Sequence, residues 1–118
     1  MWPAPGGVKV FLAAGETDLR KSIGALSVLV SGQLELDPLS GHLFVFGNRR
    51  RNIVKILYWD RNGFCLWQKR LEQGRFHWPA AVDGAVLTLE WRELAWLLEG
   101  LEIRQRGAHE RLAYETVF

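Results

Sequence analysis

The sequence predicts an α+β fold in which an antiparallel β-sheet, a meander of hairpins plus an N-terminal strand, packs with two helices. Short apolar and aromatic runs bounded by turn residues indicate the strands, and two stretches with apolar residues at helical spacing indicate the helices. A length of 118 residues, 48% of them hydrophobic and 24% charged, suits one globular core. We expect a single domain over residues 6–101 and a C-terminal tail of uncertain order over residues 102–118.

The first unit is a strand followed by a helix. Val8–Ala13 is apolar and partly β-branched, which is typical of a buried strand. Thr17 is a candidate N-cap with Asp18 in the first turn, and apolar residues from Leu19 to Val30 follow at helical spacing. This pattern predicts a helix of about four turns, closed by the turn cluster Asp37–Gly41.

Three strands of a meander come next. The apolar-aromatic runs are Leu43–Phe46, Ile53–Trp59 and Phe64–Leu71. Gly47–Asn52 joins the first two, and Asp60–Gly63 joins the second to the third. The first connection contains Gly and Asn, and the second contains Asp, Asn and Gly. Hairpin turns favour these residues, so neighbouring strands are expected to be antiparallel.

The last part of the domain is less regular. Arg75–Pro79 is aromatic but is interrupted by proline, and we interpret it as irregular chain or an edge strand. Val86 and its neighbour Leu87 indicate a short strand, after which Thr88 is predicted to cap a second helix. Gly100 is the predicted stop of that helix.

Charge is distributed unevenly along the chain. Residues 49–75 carry a net +6, whereas residues 1–48 carry −1 and residues 76–118 carry −3. In a meander the third strand returns to the end where the second began, which brings most of these cations together. The predicted group, here called the basic rim, comprises Arg49, Arg50, Arg51, Lys69, Arg70 and Arg75. Clustered cations repel one another and are stabilised by a polyanion, so the basic rim is our candidate nucleic-acid contact; the alternative is that these residues are solvated and protect strand edges.

The aromatic residues near the basic rim are predicted to belong mostly to the core. They are Tyr58, Trp59, Phe64, Trp67, Phe76 and Trp78. A sheet covered by helices needs large side chains on its inner faces, which outweighs the alternative of a base-stacking platform. Phe76 and Trp78 lie outside the predicted strands and are therefore the expected exceptions.

The sequence offers little for catalysis or cofactor binding. Cys65 is the only cysteine, no Cys/His spacing resembles a zinc site, and the acidic residues near the predicted strands lie at turns or caps. No nucleophile motif or phosphate-binding glycine loop is present. We therefore expect no enzyme, no metal, no cofactor and no small-molecule ligand. The start lacks a signal-peptide pattern and no stretch is long enough to span a membrane, which favours a cytoplasmic protein without membrane contact.

Five motifs in order identify a resemblance to a known family. They are Thr17–Ser22 (TDLRKS), Leu43–Arg51 (LFVFGNRRR), Lys55–Asp60 (KILYWD), Gly63–Trp67 (GFCLW) and Lys69–Glu72 (KRLE). Their order resembles the Orf2-like accessory proteins, called TnpB, of the insertion sequence sixty-six (IS66) family, which are distinct from the RNA-guided nuclease of the same name. The resemblance covers about Val8 to Leu101.

The resemblance implies a bacterial protein encoded beside a transposase and needed for efficient movement of the element, without being the strand-transfer enzyme. Expected partners are DNA at the element ends, the transposase and other element-encoded proteins. Our leading hypothesis is that the protein binds DNA through the basic rim and assists assembly of the transposase complex. The alternative is a protein-interaction module that docks on the transposase or another accessory protein without DNA contact, for which Trp91 and Trp96 on the second helix are candidates.

Overall fold

A five-stranded sheet with a helix on each face forms the centre of the protein. The computed structural model describes residues 7–79 and 85–103. The elements in chain order are β1 (Val10–Ala13), α1 (Ile23–Gly32), β2 (Leu43–Gly47), β3 (Ile53–Asp60), β4 (Gly63–Arg70), β5 (Val86–Leu89) and α2 (Trp91–Leu98). The strand order is β4-β3-β2-β1-β5, so the sheet is open with β4 and β5 at its edges. The predicted α+β class is confirmed, while most of the expected tail, residues 104–118, lies outside the described residues.

The sheet is mixed, with one parallel pair. The meander β2-β3-β4 is antiparallel as predicted, and β5 pairs antiparallel with β1. β1 and β2 are parallel, with Val10 opposite Leu43, so the expectation of an antiparallel sheet is corrected for this pair. The chain between these strands contains α1, and such a helical crossover returns the chain to the end where β1 started.

Helix α1 starts later than the sequence predicts. Its N-cap is Ser22, whose Oγ accepts a hydrogen bond from the Ala25 backbone N–H at 3.1 Å. Thr17, the predicted cap, instead donates its backbone N–H to the Gly47 carbonyl oxygen at 2.8 Å. This long-range bond ties the loop before α1 to the end of β2.

Helix α2 also starts beyond its predicted cap. Thr88 belongs to β5, and the N-cap is Glu90, which forms a capping box with the buried Glu93. The Glu90 backbone N–H donates to Glu93 Oε1 at 2.8 Å. Gly100, with φ of +83°, follows the helix, which confirms the predicted stop.

The core has one half on each face of the sheet. Helix α1 covers one face and α2 covers the other, and strand residues alternate between the two. The main members on the α1 face are Leu26, Val30, Phe44, Phe46 and Leu57. The main members on the α2 face are Val45, Ile56, Phe76, Trp78, Leu94 and Leu97.

Phe76 and Trp78 belong to the core, and the expectation that they are exposed is wrong. They are 2% and 6% exposed, whereas the aromatic residues of β3 and β4 are only partly buried. The reason is long-range, because the segment after β4 folds back over the α2 face of the sheet. The indole Nε1 of Trp78 donates to the Ala13 carbonyl oxygen at 3.2 Å, and its ring lies against Gly47.

Candidate nucleic-acid interface

The turn between β2 and β3 carries Arg49, Arg50 and Arg51 on a backbone fixed by hydrogen bonds. Asn48 Oδ1 accepts the backbone N–H groups of Asn52 at 3.1 Å and Ile53 at 3.0 Å. Arg51 adopts the left-handed conformation with φ of +62°, which the tight turn requires. All three arginines are exposed. The sequence therefore places three guanidinium groups on a defined loop.

The segment after β4 adds a fourth arginine beside this turn. The Leu71 N–H donates to the Asn52 carbonyl oxygen at 2.8 Å, and the Phe76 N–H donates to the Arg51 carbonyl oxygen at 2.6 Å. These bonds hold the intervening chain next to the turn and enclose a cleft of about 500 Å³. The residues that line this cleft are Arg49, Arg50, Arg51, Asn52, Gly74 and Arg75. We call these four arginines the arginine cluster. Among the described residues, no acidic side chain lines this cleft.

The positive charge of the arginine cluster is weakly compensated. Arg49 Nε lies 3.8 Å from Glu16 Oε1, but the two side chains are 88% and 62% exposed. An ion pair this exposed contributes about 1 kcal/mol at most. Arg50, Arg51 and Arg75 form no ion pair with any other described residue. Within the described residues, no carboxylate holds these three guanidinium groups, although Glu102 lines a neighbouring cleft together with Arg51 and Arg75.

The other two members of the basic rim lie at the same end of the sheet but differ in their contacts. Pairing of β3 with β4 places Arg70 opposite Ile53 and Lys69 opposite Val54. Arg70 is exposed and lies 3.7 Å from Glu72. The Lys69 ammonium donates to the Leu98 carbonyl oxygen at 2.8 Å, where it completes the C-terminal end of α2. The Lys69 side chain thus has a structural partner, whereas Arg50, Arg51 and Arg75 form no ion pair within the described residues.

A second cleft of about 480 Å³ lies on the other side of the turn and has mixed charge. Its ionisable lining residues are Glu16, Asp18, Arg20, Arg49, Arg50 and Lys55. The Lys55 ammonium donates to the Leu19 carbonyl oxygen at 2.7 Å. Arg20 hydrogen-bonds to Asp18 and, with weaker electrostatic help from Lys21, lowers the pKa of that carboxyl to about 2. Lys55 was not among the predicted site residues, because it lies within an apolar strand.

Potential metal ligands do not cluster in the described part of the chain. Among residues 7–79 and 85–103, no group of three or more His, Cys, Asp or Glu side chains is placed to hold a metal ion. Cys65 is half-buried. None of the described helices has the length and apolar character needed to cross a membrane.

These features define a small α+β protein with an open mixed sheet and an exposed arginine cluster at one turn. The chain matches the family described as IS66 Orf2 like protein over residues 8–108, and it belongs to that family. It is 40% identical over 104 residues to the uncharacterized protein y4hO of Sinorhizobium fredii, covering 88% of this chain and 90% of that protein. It is 35% identical over 96 residues to the uncharacterized protein y4jC of the same organism, covering 81% of each chain. No solved structure matches the chain significantly.

Family membership confirms the resemblance identified from the five motifs. It makes the protein a transposition-related accessory protein of an insertion sequence, in a family that is not a known enzyme class.

Proposed function

We propose that this accessory protein binds DNA through the arginine cluster and so assists assembly of the transposase complex at the element ends. The observation that carries the proposal is the cleft lined by Arg49, Arg50, Arg51 and Arg75 without an acidic lining residue among those described. Placing four cations around one cleft costs free energy through mutual repulsion, and a phosphate backbone removes that cost.

The geometry supports contacts to phosphates rather than to base edges. The three turn arginines are adjacent and exposed, and their side chains are long, so each can contact a separate phosphate of the DNA backbone. Phosphate contacts fix the position of a protein on DNA and carry little sequence information. We therefore expect modest sequence preference, with Arg70 contributing at the margin and Lys69 contributing least.

Salt dependence tests the proposal directly. If the four arginines neutralise about four phosphates, log affinity for element-end duplex DNA falls with log salt with a slope of about −3.6. Replacing Arg49, Arg50 and Arg51 together by Ala is expected to reduce the magnitude of the slope by about 2.7. Fluorescence anisotropy of labelled DNA at several salt concentrations measures both values.

The matched control is Arg61→Ala, because Arg61 is also an exposed turn arginine but lies at the opposite end of the β3–β4 hairpin. Its slope is expected to stay within about one unit of the wild type. Absence of binding at low salt, or equal effects of the triple variant and Arg61→Ala, contradicts the proposal.

The second candidate function is direct docking on the transposase through α2. Arg92 lies over the ring of Trp96, with 6.0 Å between the guanidinium carbon and the ring centroid, and such Trp and Arg pairs are frequent at interface hot spots. Trp91 is less available, since its indole donates to the Val8 carbonyl oxygen at 3.2 Å. Co-purification with the transposase after nuclease treatment tests this function. Docking through α2 is favoured over DNA binding by the arginine cluster if two results are obtained together. The wild type must retain the transposase while Trp96→Ala loses it, and the isolated protein must not bind DNA.

A further inference from the structure

Strand β4 presents one unpaired backbone edge along its whole length. The bond from the Leu71 N–H to the Asn52 carbonyl oxygen makes these opposed residues a hydrogen-bonded pair. Hydrogen-bonded pairs alternate with non-bonded ones in an antiparallel ladder, so Lys69, Trp67, Cys65 and Gly63 also direct their backbone groups toward β3. The residues between them direct their N–H and C=O groups away from the sheet; they are Phe64, Leu66, Gln68 and Arg70. In the described part of the chain, no other strand pairs with this edge.

Most of this edge lacks the features that usually prevent strand pairing, because the charged residues of β4, Lys69 and Arg70, are confined to its last two positions. Proteins protect edges with proline, bulges, outward charges or very short strands. β4 has eight residues and pairs with β3 without a register break, and Gly63–Trp67 carries no charge. The opposite edge strand, β5, has four residues. β4 is therefore the edge that can accept another strand.

We propose that β4 pairs antiparallel with β4 of a second copy of this chain, giving one continuous sheet across a two-fold axis. Outward-directed residues must face outward-directed residues, which restricts the axis to a residue position rather than a point between residues. With the axis at Trp67, Leu66 lies opposite Gln68 of the second copy, and Phe64 lies opposite Arg70. About eight hydrogen bonds then join the copies.

Charge favours a second copy as the occupant of this edge. The apolar and aromatic first half of β4 meets the polar and basic second half of the other copy, so no two like charges lie directly opposite one another. Phe64 and Arg70 lie on the same face of the sheet, where a guanidinium group over an aromatic ring is attractive. The strand is thus complementary to itself in the antiparallel direction.

The dimer also has a consequence for DNA, and this consequence alone rests on the proposed function. The axis is perpendicular to the sheet, so it does not exchange the two faces of the sheet. Both arginine clusters therefore have the same position relative to one face, at opposite ends of the strands. The β2–β3 turn lies roughly two residues beyond Arg70, which separates the clusters by about 34 Å along the strands and about 19 Å across them. The resulting distance, roughly 40 Å, is comparable with one turn of duplex DNA.

Sedimentation equilibrium of the protein without DNA tests the dimer. Gln68 is exposed and its N–H points outward, so Gln68→Pro removes an edge donor, while Gln68→Ala removes the same side chain and keeps the donor. Because the dimer loses one bond per copy, we expect Gln68→Pro to raise the dissociation constant about thirty-fold. Gln68→Ala is expected to change it less than about threefold.

Backbone amide exchange gives a second test that needs no variant. In dilute protein the amides of Phe64, Leu66 and Arg70 are expected to exchange much faster than those of Cys65 and Lys69. At concentrations that favour the dimer, the first group should become protected while the second stays unchanged. A protein that remains monomeric at high concentration, or a dimer in which outward amides still exchange fast, overturns the proposal. Retained DNA binding by such a monomer leaves the proposed function intact, so the two failures are distinguishable.

Discussion

Substitution of Gly47 by Ala gives a sharp test of how the segment that carries Arg75 is held. Gly47 is the last residue of β2, and a Cβ added there would lie 2.7 Å, 2.8 Å and 2.9 Å from three ring atoms of Trp78. Carbon atoms in contact normally lie about 3.5–4.0 Å apart. The ring must therefore move by roughly 1 Å, although it is 6% exposed and hydrogen-bonded to the Ala13 carbonyl oxygen.

The expected cost has two parts. Overpacking of a close-packed core costs about 1–3 kcal/mol. Displacement of the indole also weakens its buried hydrogen bond, which contributes about 1 kcal/mol. We therefore expect Gly47→Ala to lower the free energy of unfolding by about 2–4 kcal/mol, measured by urea denaturation with tryptophan fluorescence.

Two controls separate the steric effect from a general effect of replacing glycine. Gly63 also lies in a strand, but no heavy atom of the described residues lies within 4 Å of an added Cβ, so Gly63→Ala should leave stability within about 1 kcal/mol of the wild type. In a Trp78→Leu background the clash is relieved, and Gly47→Ala should cost less than about 1 kcal/mol. A loss below about 0.5 kcal/mol in the wild-type background, or an equal loss in both backgrounds, would refute the reasoning.

Three further predictions concern individual polar contacts. Lys69→Met removes the donor to the Leu98 carbonyl oxygen and should lower the free energy of unfolding by about 1–2 kcal/mol, while changing the salt slope of DNA binding by less than one unit. Asp18 should titrate near 2 by NMR because Arg20 stabilises its charged form, so its contribution to stability is present above about pH 4 and is lost as the pH falls toward 2; Arg20→Ala should return the pKa toward 3.8. Glu93→Ala should destabilise the protein by about 1–2 kcal/mol through loss of the capping box, and Glu93→Gln should retain more than half of that stability in the same denaturation assay.

The fold was predictable where local pattern and tertiary structure agree. The three strands of the meander follow from apolar runs separated by turn residues, and the stop at Gly100 follows from its conformational freedom. The start of α1 was not predictable, because a backbone hydrogen bond from Thr17 to Gly47 competes with helix formation at the predicted cap. The parallel pairing of β1 with β2 was also missed, since neither strand carries a local signal of its direction.

The burial of Trp78 was also not predictable from the local sequence, because it depends on a residue distant in the chain. No periodicity marks residues 75–79, and proline within the segment argues against regular structure. The ring is nevertheless packed because Gly47, distant in sequence, leaves room for it on the sheet. The burial of Trp78 could be predicted only if Gly47 and Trp78 were known to be in contact.

The position of the positive charge at the candidate site was predictable from the sequence. Which cationic groups already donate to the backbone was not. Lys55 and Lys69 contribute to the +6 of residues 49–75, yet both ammonium groups donate to backbone carbonyl oxygens of other elements. Their charge still adds to the field, but binding a phosphate would require breaking a bond that holds the fold. Arg50 and Arg51 have no such bond to lose within the described residues. Replacement of the turn arginines should therefore change DNA affinity with little effect on stability, whereas replacement of the two lysines should do the reverse.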